Sequence, residues 1–179
     1  MRGYFGIGVE GISKAMNLGN LFRSALGFDA SFIFTVAADF NPKRALSDTA
    51  DSSGRIPLYQ FADAESLLLP RGCELVGVEL LDSAGELPSF RHPRRCAYVL
   101  GPERGSLSPA MVARCDHVVR IPTNICINLA TAGAVVMYDR LINLGRFPRR
   151  PMAVGDAPEP LPDHVAGGPK YRKAKKKKT

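Results

Sequence analysis

The alternation of strand segments with helical segments along the chain is the feature that most constrains its fold. Six short runs rich in β-branched and aromatic residues are typical of strands, at residues 2–9, 31–37, 57–61, 74–81, 96–100 and 117–121. Helical segments are indicated between or after them, at residues 17–26, 62–69, 108–115 and 128–144. This order predicts an α/β fold, a parallel sheet with helices on both faces. In such sheets ligands bind at the edge formed by the carboxyl ends of the strands.

Three glycines near the start of the chain match the pattern G-x-G-x-x-G, at Gly6, Gly8 and Gly11. A dinucleotide-binding loop needs a complete strand before the first glycine and a helix that begins within the pattern. Only five residues precede Gly6, and the next good helix start comes several residues after Gly11. We therefore interpret these residues as a first strand that tolerates glycine.

The cysteines and histidines are too scattered to indicate a metal site or disulfide bonds. The four cysteines form no C-x-x-C pair, and the three histidines are not at metal-ligand spacings. We expect reduced thiols and no metal. No signal-peptide pattern is present at the start, and the most apolar stretch, residues 125–137, is too short to cross a bilayer. The sequence thus predicts a soluble, cytoplasmic protein.

The net charge of +7 arises from the end of the chain. Residues 170–179 carry seven of the 24 Lys and Arg residues and no acid, which leaves 17 basic against 17 acidic residues elsewhere. We expect a globular domain over residues 1–148, then a Pro- and Gly-rich linker and a disordered basic tail over 149–179. Such a tail attracts nucleic-acid phosphates. Its candidate contacts are Lys170, Arg172, Lys173, Lys175, Lys176, Lys177 and Lys178.

Three segments that follow predicted strands carry polar residues suited to a binding site. In the first, Asn17–Arg23, the arginine lies near a predicted helix start, where a cation opposes the helix dipole. Its presence there indicates an anionic partner. The second, Gly101–Ser108, has glycines that let its backbone approach an adenine or a ribose. The third, Ile121–Asn128, is a tight apolar loop in which Asn128 is most simply the N-cap of the last helix. We expect these segments to form one site.

In this order the segments resemble the three motifs of the SpoU-type branch of the SPOUT RNA methyltransferases. NLGNLFRSA resembles N-x-G-x-x-x-R-x-A, and YVLGPERGSLS resembles a strand followed by G-x-E-x-x-G-L-S. RIPTNICINLATAGAVVMYDRL resembles I-P followed by S-L-N and a long helix. The resemblance covers roughly residues 3–145. It implies a C-terminal trefoil knot, a homodimer and S-adenosylmethionine bound in the knot.

The resemblance also implies which residues do the chemistry. It implies active-site roles for Asn17, Arg23, Glu103 and Asn128. It implies cofactor contacts at Val78, Gly101, Glu103, Gly105, Ile121, Cys126, Asn128 and Leu129. The chain departs from the family at Cys126, where Ser is usual, and in a shorter loop after Pro122. No extra N-terminal RNA-binding domain is expected. We therefore expect Arg23, the tail and the dimer surface to contact the RNA.

The function implied is methyl transfer from S-adenosylmethionine to a ribose 2′-hydroxyl of tRNA or rRNA. A 2′-hydroxyl is a poor nucleophile that needs deprotonation or strong orientation. Arg23 is the candidate for this role, as a base or as a clamp on the adjacent phosphate, and the reluctance of arginine to lose its proton favours the clamp. Two alternatives stay open, methylation of a base nitrogen and an RNA-binding protein of the same fold with weak or no transfer.

Overall fold

A parallel sheet of seven strands runs through the part of the computed structural model that can be described, which comprises residues 3–38, 56–163 and 167. The strands are β1 (Tyr4–Glu10), β2 (Phe32–Val36), β3 (Leu58–Phe61), β4 (Glu74–Val78), β5 (Gly85–Glu86), β6 (Arg95–Leu100) and β7 (His117–Arg120). Their order across the sheet is β3-β2-β1-β6-β4-β7-β5, and each neighbouring pair is parallel. The predicted α/β class with a parallel sheet is confirmed.

Helices cover both faces of this sheet. They are α1 (Ala15–Gly27), α2 (Pro109–Arg114) and α3 (Leu129–Leu144), with a short 3-10 turn at Leu87–Ser89. The two long helices, α1 and α3, contact each other and bury the apolar face of β1 that includes Ile7 and Val9. On the opposite face α2 buries Met111 against a second core. The carboxyl ends of the central strands therefore lie beside the N-terminal ends of α1 and α3.

The glycines of β1 allow aromatic rings to pack on the face of the sheet that α2 covers. A side chain at Gly6 would collide with the Phe32 ring, and one at Gly8 would collide with the Phe34 ring. Gly11 follows the strand with a φ of +62°, a conformation that favours glycine. These glycines serve packing and strand termination, so the interpretation of the G-x-G-x-x-G match as part of a strand is confirmed.

The prediction of a helix over residues 62–69 is wrong. This segment forms a turn, in which the backbone N–H of Ser66 donates to the Asp63 carboxylate at 2.8 Å. The guanidinium of Arg114, at the end of α2, donates hydrogen bonds to the backbone carbonyls of Ala64, Glu65 and Leu67. These contacts stabilise the turn in place of a helix, so a tertiary contact overrides the local helical propensity.

Contacts divide the chain into a unit that ends at Gly145 and one that begins at Arg146. Within the second unit, Arg146 donates to the backbone carbonyl of Pro162 at 3.0 Å. The domain boundary at residue 148 stays a prediction, and tail residues 170–179 lie outside the described residues. Over the described residues, no helix has the length and apolar character needed to span a membrane.

A buried arginine anchors the far end of α3 to the sheet. Arg140 is only 1% exposed, and its guanidinium donates to the backbone carbonyls of Tyr4, Pro93 and Arg94. Its central carbon lies 5.2 Å from the centroid of the Phe5 ring. Burial of a charge is costly unless its donors are paired. These bonds therefore hold α3 against the starts of β1 and β6.

A buried histidine makes a second connection between α3 and β6. Nδ1 of His92 lies 2.5 Å from the Tyr98 hydroxyl, and Nε2 lies 2.8 Å from the Asp139 carboxylate. Burial lowers the pKa of His92, although its hydrogen bond to Asp139 opposes that shift. Burial also raises the pKa of Tyr98, which keeps its hydroxyl protonated. We infer a neutral imidazole that accepts from Tyr98 and donates to Asp139.

Replacing Arg140 with lysine should lower the free energy of unfolding by about 3 kcal/mol or more. A lysine cannot reach three carbonyls from one position. The Arg94 carbonyl keeps the backbone N–H of Tyr4 as a donor, but each carbonyl left without a donor costs about 1–3 kcal/mol. Arg120→Lys is the control, because Arg120 pairs with Glu86 at the exposed surface and should change stability by less than about 0.5 kcal/mol. Urea unfolding measures both variants, and equal losses would contradict the anchoring role.

Candidate active site

A cavity of about 360 Å³ opens at the carboxyl edge of the sheet, where three neighbouring strands end. Val78 ends β4, Gly101 follows β6 and Ile121 follows β7. The N-terminal residues of α3 form another part of the wall. The position is the one expected for a ligand site in a parallel α/β sheet.

The structure brings together in this cavity all of the residues that the resemblance implied for cofactor contact. They are Val78, Gly101, Glu103, Gly105, Ile121, Cys126, Asn128 and Leu129. Asn17 also lines the cavity, so three of the four implied active-site residues are within it. Lys14 and Glu79 line it as well, and the sequence analysis did not identify either. The three sequence segments therefore form one site, as expected.

A chain of hydrogen bonds joins the three segments through the Asn17 side chain. Nδ2 of Asn17 donates to Oε1 of Glu103 at 2.9 Å, and Oδ1 of Asn17 accepts from Nδ2 of Asn128 at 3.1 Å. Oδ1 of Asn128 accepts from the backbone N–H groups of Ala130 and Thr131 at 2.9 and 3.4 Å. The prediction that Asn128 is the N-cap of the last helix is confirmed. Both asparagine amides are held in one orientation by this chain.

Glu103 is the last residue in this series of hydrogen bonds, and both of its carboxylate oxygens accept hydrogen bonds. Its second oxygen, Oε2, accepts from the backbone N–H and the hydroxyl of Ser13 at 3.4 and 3.3 Å. Partial burial raises the pKa of the Glu103 carboxyl, but the hydrogen bonds from Asn17 and Ser13 outweigh burial and hold the pKa below its ordinary value. The carboxylate is thus ionised at neutral pH. Its hydrogen-bond partners are Ser13 and Asn17, not Arg23.

Two further carboxylates hold the loop between β6 and α2. Glu10, at the end of β1, is 7% exposed and accepts from the backbone N–H and the hydroxyl of Ser108 at 2.8 and 2.7 Å. Glu79 accepts from the backbone N–H of Leu107 at 2.8 Å. The sequence analysis missed both positions. An acid at the end of an apolar strand, as at Glu10, was the available signal, since a buried carboxylate needs donors.

Arg23 is the one implied active-site residue that does not line the cavity. It is exposed on α1 together with Met16 and Asn20. Helix α1 begins at Ala15, so Arg23 is the ninth of its 13 residues, and the argument that placed a cation near the helix start is wrong. Among the described residues, none forms an ion pair or a hydrogen bond with Arg23. Its catalytic and RNA-binding roles stay predictions.

The thiol of Cys126 belongs to the cavity wall and is exposed. It stands where the family usually has Ser. The described part of the chain contains no cluster of His, Cys, Asp and Glu side chains that could hold a metal ion. The cavity wall presents amide, carboxylate, thiol and ammonium side chains together with backbone groups.

A family model described as the SpoU rRNA methylase family matches residues 5–138. The chain belongs to this family. An uncharacterised tRNA/rRNA methyltransferase of Mycobacterium bovis is 31% identical to the SpoU-family chain over 144 residues. That match covers 74% of this chain and 50% of the relative, so the chain spans about half the length of the curated relatives it matches.

Solved structures share the fold of this SpoU-family chain. The SpoU methyltransferase AviRb from Streptomyces viridochromogenes, in complex with the cofactor AdoMet, has a TM-score of 0.70 at 20% identity. The match covers 82% of this chain and 60% of AviRb. A protein studied for 2-OH methylation of C/U34 on tRNA has a TM-score of 0.68 at 21% identity, over 80% of this chain and 98% of that protein.

Glu103→Gln should remove part of the acid sensitivity of the fold. The pKa of Glu103 is lowered in the folded protein, so its contribution to stability is present above its ordinary pKa of 4.5 and is lost as the pH falls through the lower folded value. The wild-type protein should therefore have a higher Tm than the Glu103→Gln variant at about pH 6. The difference between the two Tm values should shrink towards about pH 3. A difference in Tm that does not change with pH would contradict this role.

Proposed function

We propose that this protein transfers a methyl group from S-adenosylmethionine (AdoMet) to a ribose 2′-hydroxyl of tRNA or rRNA. The observation that carries the proposal is the cavity in which a wall of backbone and apolar groups adjoins the fixed amides of Asn17 and Asn128. Membership of the SpoU rRNA methylase family supports the RNA as acceptor. The ribose target is supported by the similar fold of the protein studied for 2-OH methylation on tRNA.

The cavity suits AdoMet in size and in the character of its wall. A volume of about 360 Å³ lies within the usual range for small-molecule sites. A Cβ atom at Gly101 would lie 3.0 Å from Oε2 of Glu79 and 3.0 Å from the backbone nitrogen of Leu107. The glycine therefore lets Glu79 and the Leu107 backbone pack closely against this part of the cavity wall. AdoMet is bound in the structure of AviRb, which has the same fold.

When bound, AdoMet supplies a methyl group on a positively charged sulfur, and the protein must orient the acceptor oxygen towards it. Asn17 and Asn128 are suited to this task because their amides are fixed by hydrogen bonds before the RNA arrives. The lowered pKa of Glu103 makes it a weak proton acceptor, so we assign it the role of holding Asn17. Arg23 is proposed as the clamp on an adjacent phosphate, with its fork of N–H groups paired to two oxygens.

Three further properties of the assembly are part of the proposal. The domain is proposed to end at residue 148, and its C-terminal part to form the trefoil knot that the family resemblance implies. The basic tail is proposed to add long-range attraction for RNA, from its seven charges. The site itself lies between the loop that follows β6 and the loop that follows β7, the region in which the resemblance implies the knot.

The outer face of α3 supports a homodimer. Val135, Tyr138 and Ile142 lie at helical spacing and are 37%, 52% and 40% exposed, so they form an apolar stripe on a helix whose other side is buried. A stripe of this kind is typical of a hydrophobic two-fold interface. Light scattering should give a dimer mass at micromolar concentration, and Tyr138→Glu should shift it towards the monomer. A monomer mass for the wild-type protein would contradict the proposal.

Arg23→Ala should abolish most methyl transfer and leave AdoMet binding nearly intact. Arg23→Lys should restore little, because a point charge does not reproduce a paired phosphate contact. Transfer of labelled methyl to total RNA, with nucleoside analysis, measures turnover and the position methylated, and calorimetry measures AdoMet binding. Arg71→Gln is the control for loss of an exposed charge at the opposite edge of the sheet.

The outcomes separate the candidates. Methylated ribose confirms the proposed reaction, and a methylated base nitrogen replaces it with the alternative chemistry. AdoMet and RNA binding without transfer identifies a binding protein of the same fold, for which Cys126 in the cavity wall is the favouring observation. In that case Cys126→Ser is the variant to assay for restored transfer, since a hydroxyl is a stronger donor than a thiol. Normal turnover in Arg23→Ala would show that Arg23 is only a surface charge.

A further inference from the structure

We propose that Lys14 and Arg104 form a phosphate clamp at the rim of the cavity. In this arrangement they contact the two phosphates that flank the nucleotide whose ribose enters the site, one of which Arg23 is also proposed to hold. The inference rests on the proposed function and adds the contacts that position the RNA strand. It is prompted by Arg23, which lies on the outer face of α1 and does not line the cavity. Cations that line or adjoin the cavity are therefore needed in addition to Arg23.

Lys14 and Arg104 flank the hydrogen bonds that join the start of α1 to the loop after β6. Ser13 donates to Glu103 through its backbone N–H and its hydroxyl, at 3.4 and 3.3 Å. Lys14 is the next residue after Ser13, and Arg104 is the next residue after Glu103. Lys14 itself lines the cavity, and Arg104 lies between Glu103 and Gly105, which both line it. The Ser13–Glu103 contact thus brings the two cations to one side of the cavity opening.

Glu103 forms no ion pair with either cation among the described residues. Both oxygens of Glu103 already accept hydrogen bonds, Oε1 from Asn17 and Oε2 from Ser13. Among the described residues the ion pairs are His92–Asp139, His117–Glu74 and Arg120–Glu86, and none of them includes Lys14 or Arg104. Both side chains are exposed. Their charges are therefore available to an anion that approaches the cavity from solvent.

The position of Lys14 in the chain opposes local helix stability. It is the N-cap residue of α1, and its side chain makes no capping hydrogen bond. Small polar residues are preferred at an N-cap, and a cation there is repelled by the positive end of the helix dipole. A lysine at this position lowers the stability of α1, so a contact outside the helix is the better explanation for its presence.

An RNA strand fits this pair of cations better than the methyl donor does. Lys14 lines the cavity, whereas Arg104 is exposed and is not part of the wall. A ligand that contacts both must extend from the cavity to its outside. A strand whose ribose enters the cavity has a phosphate on each side of that ribose and meets this requirement. The arginine fork can pair with two phosphate oxygens, and lysine provides a point charge.

The test is binding of a fluorescently labelled, unstructured oligoribonucleotide of mixed sequence to the full chain over a series of salt concentrations. Lys14→Gln and Arg104→Gln should each flatten the slope of log affinity against log salt by about 0.7, the value for one phosphate contact on a single strand. In the double variant the slope should be flattened by about twice as much as in either single variant. Lys14→Arg should keep the wild-type slope because it keeps the charge.

Arg71→Gln is the matched control, because Arg71 is exposed and precedes β4, at the opposite edge of the sheet. It should leave the slope unchanged, while the basic tail stays in place in every variant. If Lys14→Gln and Arg104→Gln change the slope no more than Arg71→Gln does, the clamp does not exist.

Calorimetric titration with AdoMet gives the second readout. Arg104→Gln, whose side chain is not part of the cavity wall, should bind AdoMet as the wild-type protein does. If Lys14→Gln instead weakens AdoMet binding and leaves the RNA slope unchanged, Lys14 contacts the carboxylate of the donor and the clamp is wrong. Because RNA binding is measured without turnover, an inactive protein that still shows the slope changes retains the clamp and loses only the proposed reaction.

Discussion

The buried guanidinium of Arg140 fixes the helix on which the site depends. Its donors bond to carbonyls at the starts of β1 and β6, at the edge of the sheet opposite to the cavity. An α-helix is rigid over this length, so anchoring the C-terminal part of α3 also fixes the position of its N-terminal end. The N-terminal end of α3, with Asn128, is thereby held beside the ends of β4, β6 and β7. His92 strengthens the same attachment through Asp139.

At the cavity the structure relies on carboxylates and amides whose partners are mostly backbone groups. Glu10, Glu79 and Glu103 each accept a backbone N–H, from Ser108, Leu107 and Ser13 respectively. The Asn17 side chain then connects the loop after β6 to the start of α3. Groups fixed in this way need little reorganisation when a ligand binds, which is the condition for precise positioning of two reactants.

Much of the fold and most of the site could be predicted from the sequence, and the failures have physical causes. The helix expected over 62–69 is absent because the segment turns at Asp63–Ser66, and Arg114, distant in the chain, stabilises that turn by bonding to its carbonyls. The dipole argument for Arg23 failed because the dipole acts only within the first turn, and Arg23 is the ninth residue of a helix that begins two residues earlier than predicted, at Ala15. Helix ends are set by local hydrogen bonds that a sequence pattern locates only approximately.

The sequence by itself determined the parallel α/β class, the N-cap role of Asn128 and the set of segments that meet at the cavity. These follow from local periodicity and from the rule that the carboxyl ends of parallel strands share one edge. Only the tertiary structure decided that Glu103 bonds to Ser13 and Asn17, that Lys14 lines the cavity and that Arg23 does not. Those outcomes depend on side-chain directions between segments about 90 residues apart, and no local pattern in the chain encodes them.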